Sequence, residues 1–319
     1  MRAAISHKFG REYKIGSQQW AESSATPGTY VGNPSLSVMV SQYMISLRRR
    51  KVRAGEIVTS ARAIDEATLK KLWEFNMNFP RDSELKPNSR KRKQEHPENW
   101  GGYYIRQMLQ ALYTISMLCL LRYDEALNIM WSDITYEWVD SKPSVMILSL
   151  QFRKTDQTGG IAPFYLWPDK ERPWMDALQA IARWYYACEK LKINQTGYIF
   201  RSRTHFDAVG SDPEVPMSSE SFLECFRNNM VDIGIDPRPY GMHSFRRGGC
   251  QYLSMVLRWP IRNICAWGGW TENFDNPGTI FRYLLSWVDS PAVDRRDYFN
   301  PDRLGTDPCT ACGRTCHCA

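Results

Sequence analysis

Residues 241–249 read GMHSFRRGG, and this stretch decides how the rest of the chain is understood. His243 and Arg246 stand three positions apart, so a helix would carry both on one face, as a shared anionic ligand requires. The run from 243 to 257 has helical periodicity. A lone histidine beside an apolar helix is most often structural, so the neighbouring segments carry the decision.

Four further segments flank it: LLRYDEALNIMWSDI at 120–134, FRKTDQTGG at 152–160, CAWGGW at 265–270 and TIFRYLL at 279–285. Taken singly, each has a plain reading. Arg122 is a surface arginine paired with Glu125, Lys154 is a solvated turn lysine beside Arg153, and Tyr283 is a core or interface aromatic. Trp267 competes with Trp270, and Tyr298 with Tyr283.

Type, order and spacing together are more specific. The five segments resemble the catalytic segments of the tyrosine recombinases: an arginine followed three residues later by an acid, a hairpin lysine, a His-x-x-Arg pair, a His or Trp, and a tyrosine. The resemblance covers about residues 100 to 300. It implies a catalytic set of Arg122, Glu125, Lys154, His243, Arg246, Trp270 and Tyr283. The Trp270 to Tyr283 separation is similar to that of the Flp-type branch. The string HSFRRGG and the opening segment are similar to eukaryotic crypton-type recombinases carried by mobile elements. In those relatives the opening segment lies inside the N-terminal domain, so the resemblance implies a chain that would start partway through that domain.

The chemistry asks for the same residue types. A phenol attacks an anionic phosphodiester only where oriented positive donors offset the charge that develops on the phosphoryl oxygens. Guanidiniums fit phosphate bidentately and stay charged, which suits Arg122 and Arg246. The phenol, with an ordinary pKa near ~10, must lose a proton, and His243 is placed to take it. Lys154 would protonate the leaving 5′ oxygen, Glu125 would orient the cations or the imidazole, and the Trp270 indole would pack on Tyr283 and donate one hydrogen bond. A phosphotyrosine exchange conserves bond energy. No nucleotide, metal or other cofactor is expected, and neither a GxxxxGK[ST] loop nor an HExxH motif is present.

The expected fold is mainly α with a small β-sheet, in two lobes. Asn33-Pro34 opens a helix carrying Leu36, Met39, Val40, Tyr43, Met44 and Leu47, which runs into Arg48, Arg49, Arg50, Lys51 and Arg53 as candidate DNA-phosphate contacts, with Arg153 added from the second lobe. A second helix opens at Asp65 and closes before Pro80. The polar stretch 81–99 reads as a linker. The domains are then a helical DNA-binding lobe at 1–85, a linker at 86–100, a catalytic domain at 101–305 and a cysteine-rich tail at 306–319. In the catalytic lobe a one-sided helix runs from Tyr104 to near Arg122. The strand 145–152 pairs with IAPFYLW, and helices lie at about 173–192, 219–233, 243–257, 260–267 and 278–288.

Composition sets the outer limits. The chain of 319 residues is 43% hydrophobic and 24% charged, so it can bury a sizeable core. Lys and Arg outnumber Asp and Glu by 41 to 34, giving +7 and a pI near 8.9, which suits an anionic partner without specifying one. No apolar run of membrane-spanning length occurs, so an intracellular protein is expected, with nuclear import permitted by the basic runs at 48–53 and 90–93. Cys119, Cys188, Cys225, Cys250 and Cys265 read as reduced buried thiols. Cys309, Cys312, Cys316, His317 and Cys318 crowd together and read as a thiol-rich tail without metal. The resemblance further implies double-stranded DNA as partner, two lobes closing around it, and a homotetramer on DNA. Two other readings remain at this point: a cleavage-inactive DNA-binding derivative of a recombinase, and a type IB topoisomerase.

Overall fold

The computed structural model of the protein describes residues 2–53, 61–81, 100–151, 161–270, 280 and 283–284, with the backbone alone at 2–4, 48, 49 and 51–53. The chain divides into two compact units, Met1–Thr59 and Ser60–Ala319.

The first unit holds helix α1 (Arg2–Tyr13), a minimal antiparallel pair β1 (Ala21–Glu22) and β2 (Tyr30–Val31), and helix α2 (Val38–Arg53). The helix expected from Asn33-Pro34 is split. Asn33 caps a 3-10 turn at Pro34–Leu36, accepting from the Ser35 N–H at 3.0 Å, and Ser37 is then extended before α2 begins. Buried Asn33 also donates to the Gly16 carbonyl at 2.8 Å, so its capping geometry is fixed by the first helix's end. Met39 and Tyr43, expected on a core stripe, are exposed.

The second unit begins with α3 (Glu66–Asn78), whose N-terminus is capped by Asp65 accepting from the Thr68 N–H at 2.7 Å. The sequence placed this helix in the first lobe, before a boundary at 86–100. Instead Leu69 and Leu72 belong to the core of the second unit, where α3 packs on α4 (Tyr103–Leu118). Helix α4 is buried at every position from Ile105 to Met117, not on one stripe.

Arg106, Gln107 and Gln110, buried on this helix, all find hydrogen-bond partners. Arg106 donates to Asp232 at 2.6 Å and to the Gly101 carbonyl, and its guanidinium lies 4.0 Å from the Phe79 ring and 4.4 Å from Trp100. Trp100 Nε1 donates to the same Asp232 oxygen at 2.8 Å, and Asn76, Asn229 and Gln110 extend the network across three helices. Such a buried pair holds its partners in register, and breaking it strands a charge.

Helix α4 stops at Leu118 because Leu120 is left-handed (φ 52°), and a new helix, α5 (Tyr123–Leu127), starts with Arg122 as its N-cap. A three-stranded antiparallel sheet follows in the order β3 (Ile134–Val139), β4 (Lys142–Leu148), β5 (Phe164–Leu166). The expected pairing of 145–152 with IAPFYLW is there, with Leu148 opposite Phe164, and β3 is an additional strand joined through Asp140 and Ser141, both at positive φ.

Helix α6 (Ala177–Lys190) is capped by Asp176, β6 (Arg203–His205) pairs with β7 (Ala208–Val209), and α7 (Ser219–Asp232) is capped by Ser218. Helix α8 (Ser244–Gln251) passes into a π-helical turn at Tyr252–Val256, and α9 (Ile261–Gly268) ends on left-handed Gly269. Tyr113 of α4 stacks on Phe245 of α8 at 4.8 Å, with Phe222 and Phe226 of α7 around them. The five mid-chain cysteines are buried, and burial pushes the Cys188 and Cys250 thiols up to about 12, which keeps those two unreactive.

The two glycines of GMHSFRRGG set how α8 is held. A Cβ on Gly248 would sit 1.9 Å from the Ile64 carbonyl oxygen, and one on Gly249 would sit 2.0 Å from that of Met117. Only glycine lets the backbones of α4 and residues 61–65 lie directly on α8, which brings the start of α5 and the start of α8 together.

Candidate active site

Four distant segments meet at the start of α8. Glu125 in the first turn of α5 accepts from its own N-cap backbone, Arg122 N–H, at 2.9 Å, and from Arg122 Nη1 at 3.0 Å. The same carboxylate receives Arg246 Nη1 at 3.4 Å. Arg246 is 1% exposed, while the Arg122 side chain keeps a 17% opening to solvent. One acid between two guanidiniums fixes their separation and leaves a net positive charge, which suits an anion.

Arg246 also faces the aromatic pair of the site. Its guanidinium carbon lies 4.8 Å from the Trp270 ring centroid and 5.0 Å from that of Tyr283. The two rings stack with centroids 5.5 Å apart and planes 4° apart. Gln251, one turn beyond Arg246 on α8, donates to the carbonyls of Tyr283 and Leu284 at 3.5 Å, tying the tyrosine's backbone to the arginine's helix. Sequence reading missed Gln251, because nothing in its surroundings distinguishes it from a solvated glutamine.

Trp270 reaches its place through the turn that ends α9. Left-handed Gly269 reverses the chain, the Trp270 N–H closes on the Cys265 carbonyl at 2.9 Å, and the indole lies against Gly268. Trp267 serves elsewhere: its indole N–H donates to the Leu118 carbonyl at 2.7 Å and its ring packs edge-on against Phe164. Trp270 Nε1 is buried and has no hydrogen-bond partner among the described residues.

His243 is the N-cap of α8, exposed, with its ring centroid 6.4 Å from that of Tyr283. Partial loss of hydration, and then the positive charges of Arg246 and Arg122, hold the imidazole below its ordinary pKa; Asp124 opposes this and Arg247 adds to it. A ring so placed is neutral near pH 7 and able to accept a proton.

The structure therefore brings together Arg122, Glu125, His243, Arg246, Trp270 and Tyr283. Lys154 and Arg153 fall on the connection between β4 and β5, outside the described residues, as do Tyr298 and the cysteine-rich tail. Of the basic run on α2, the Arg50 side chain is described: it is exposed, 5.7 Å from the Tyr43 ring. The side chains of Arg48, Arg49, Lys51 and Arg53 lie outside the described set. Among the described residues no helix is long and apolar enough to cross a membrane, and no group of three or more His, Cys, Asp or Glu is arranged to hold a metal ion.

No protein-family model and no curated protein matches the sequence. Among solved structures the chain is similar to the site-specific recombinase XerH bound to palindromic difH substrate in a post-cleavage complex, at 12% identity and TM-score 0.45, over 74% of this chain and 50% of that one. It is similar to a lambda integrase dimer bound to a COC′ core site, at 12% identity and TM-score 0.42, over 92% and 66%. It is also similar to a tryptophan-to-phenylalanine mutant of Flpe in a DNA Holliday junction complex, at 10% identity and TM-score 0.38, over 82% and 61%. The chain thus spans about half the length of XerH. These neighbours are tyrosine recombinases.

Proposed function

We propose that the protein is a tyrosine recombinase that cuts and rejoins double-stranded DNA through a 3′-phosphotyrosine at Tyr283. The observation that carries this reading is the placement of Arg246: held by Glu125 beside Arg122, it lies 5.0 Å from the Tyr283 ring. A phenol beside two fixed guanidiniums is what attack on a phosphodiester requires.

In this mechanism Arg122 and Arg246 bind the non-bridging oxygens of the scissile phosphate in place of solvent. The Tyr283 oxygen forms the new bond to phosphorus as His243 takes the phenolic proton. The 5′ oxygen leaves with a proton from Lys154. Rejoining reverses the flow: a 5′ hydroxyl displaces the tyrosine, and the proton returns. The buried Trp270 N–H, lacking a partner among the described residues, is a fitting donor to the bound phosphate.

Arg48, Arg49, Arg50, Lys51, Arg53 and Arg153 would contact DNA phosphates, giving affinity that falls steeply with salt. Assembly as a tetramer on DNA, action in the nucleus and a place in the crypton-type branch of mobile-element recombinases complete the reading. A cleavage-inactive relative is the less economical alternative, because the tyrosine, both arginines and the imidazole occupy one site. A nicked suicide substrate separates the two. The intact chain accumulates a covalent protein–DNA adduct that Tyr283→Phe removes; no adduct from the intact chain contradicts the proposal.

A further inference from the structure

We propose that Gln251 is a positioning residue: its carboxamide seats Tyr283 against the cations of its own chain, so that one protomer supplies both the phosphate-binding arginines and the nucleophile. This rests on the recombinase reading above and adds to it which chain's tyrosine attacks.

Two sets of contacts carry the inference. The first is the amide itself. Gln251 is the last residue of α8, the helix that carries Arg246, and its Nε2 lies 3.5 Å from the carbonyl oxygens of both Tyr283 and Leu284. A carboxamide has two N–H donors, one for each of two consecutive carbonyls, so the grip sets the direction of the backbone as well as its place. Because it holds main chain, it is the same before and after the phenol bonds phosphorus, and the ring stays free to react.

The second set is the packing on either side of the tyrosine. Ile280 and Leu284 are helical, four residues apart and each 8% exposed, and they belong to the same core cluster as Tyr252, Leu253 and Ile264. Tyr283, on the same stretch, stacks on Trp270 and lies 5.0 Å from the Arg246 guanidinium carbon, all within one chain. Serving a neighbouring protomer would return Ile280 and Leu284 to water and break both amide bonds, so the site of the same chain is favoured.

The chemistry explains why apolar anchors are not enough. They resist removal of the segment but set no direction, whereas hydrogen bonds do. The phenolic oxygen stands at the far end of its side chain, so a small rotation of the backbone displaces it further than the Cα. Attack on phosphorus tolerates little of this, because a misplacement of about 1 Å costs on the order of 100-fold.

The test has two arms, both on the full-length protein. In the first, a ring-fluorinated tyrosine is incorporated at position 283 alone and its fluorine NMR signal is followed without DNA. Gln251→Met keeps the length of the side chain and removes its donors, so the signal should move from the wild-type position toward that of the unfolded chain. Gln251→Glu sets a carboxylate oxygen against the same carbonyls and should move it at least as far. The second arm is single-turnover cleavage of the suicide substrate at saturating DNA, where Gln251→Met should lose on the order of 10–100-fold. A mixture of Tyr283→Phe and Arg122→Gln chains should form no more adduct than Arg122→Gln alone, since neither chain carries a complete site. An unmoved fluorine signal in both Gln251 variants overturns the inference. So does a Gln251→Met rate within about threefold of wild type, or a mixture whose adduct exceeds that of Arg122→Gln alone. Should Gln251→Met not fold, Gln251→Glu decides both arms by the same limits. The first arm needs no cleavage, so an absent wild-type adduct counts against the recombinase reading while the seating of Tyr283 is scored on its own.

Discussion

Oε2 of Glu125 stands 3.4 Å from Nη1 of Arg246, a contact made across 121 positions of sequence. The other carboxylate oxygen holds Arg122 at 3.0 Å, so one acid sets the spacing of two cations. Glu125→Gln keeps the shape and removes the charge, and adduct formation should drop on the order of 10–100-fold, as when the partner orienting a reacting group is lost. Glu125→Ala also takes the carboxylate from beside a buried guanidinium and should cost about 3–5 kcal/mol in denaturant unfolding.

His243 gives the reaction its pH dependence. The ring's pKa is lowered by partial burial and by Arg246 and Arg122, so the neutral base persists at pH 7 and the rate falls only below the ordinary value of 6.5. The unfolded chain binds that proton more readily than the folded one, so stability also declines as pH drops through 6.5 toward the folded value. A pH–rate profile of single-turnover cleavage checks the first statement, and His243→Gln should remove the acid limb along with most of the rate.

Arg106 and Asp232 are a structural pair remote in role from the site. Asp232 accepts from Arg106, Trp100 and Asn229 with its Oδ2. Asp232→Ala strands a buried guanidinium and should lower unfolding stability by about 3–5 kcal/mol.

Tyr113 tests the opposite sign. Its hydroxyl is buried without a partner among the described residues, and burial pushes its pKa well up, so it stays protonated. Tyr113→Phe keeps the stack on Phe245 and discards a desolvated hydroxyl, so stability should hold or rise by about 1 kcal/mol in a denaturant midpoint measurement.

Gly249→Ala would place a methyl 2.0 Å from the Met117 carbonyl oxygen and separate α8 from α4. Overpacking of this kind costs about 1–3 kcal/mol. Because α4 leads directly to Arg122, cleavage should fall further than the stability loss alone explains, which paired thermal and cleavage measurements would show.

Much of this arrangement was legible from the chain. The helix start at Asp65 follows from its capping residue, the helix over about 219–233 from its periodicity, and the spacing of His243 and Arg246 from helical geometry. Other features were not legible, each for a physical reason. Helix α3 joined the second unit because Leu69 and Leu72 find their partners on α4, information that the polar stretch after Pro80 conceals. Strand β3 went unread because its hairpin turns on Asp140 and Ser141 rather than on glycine. The choice between Trp267 and Trp270 depends on the left-handed turn at Gly269, which a spacing of three residues cannot convey.

The most direct measurement is to trap the covalent protein–DNA adduct on a suicide substrate, digest it, and identify by mass spectrometry the residue bearing the nucleotide. A phosphodiester link on the hydroxyl of Tyr283 is the expected result. A link on Tyr298 or any other side chain, or DNA cut without attachment to protein, would contradict it.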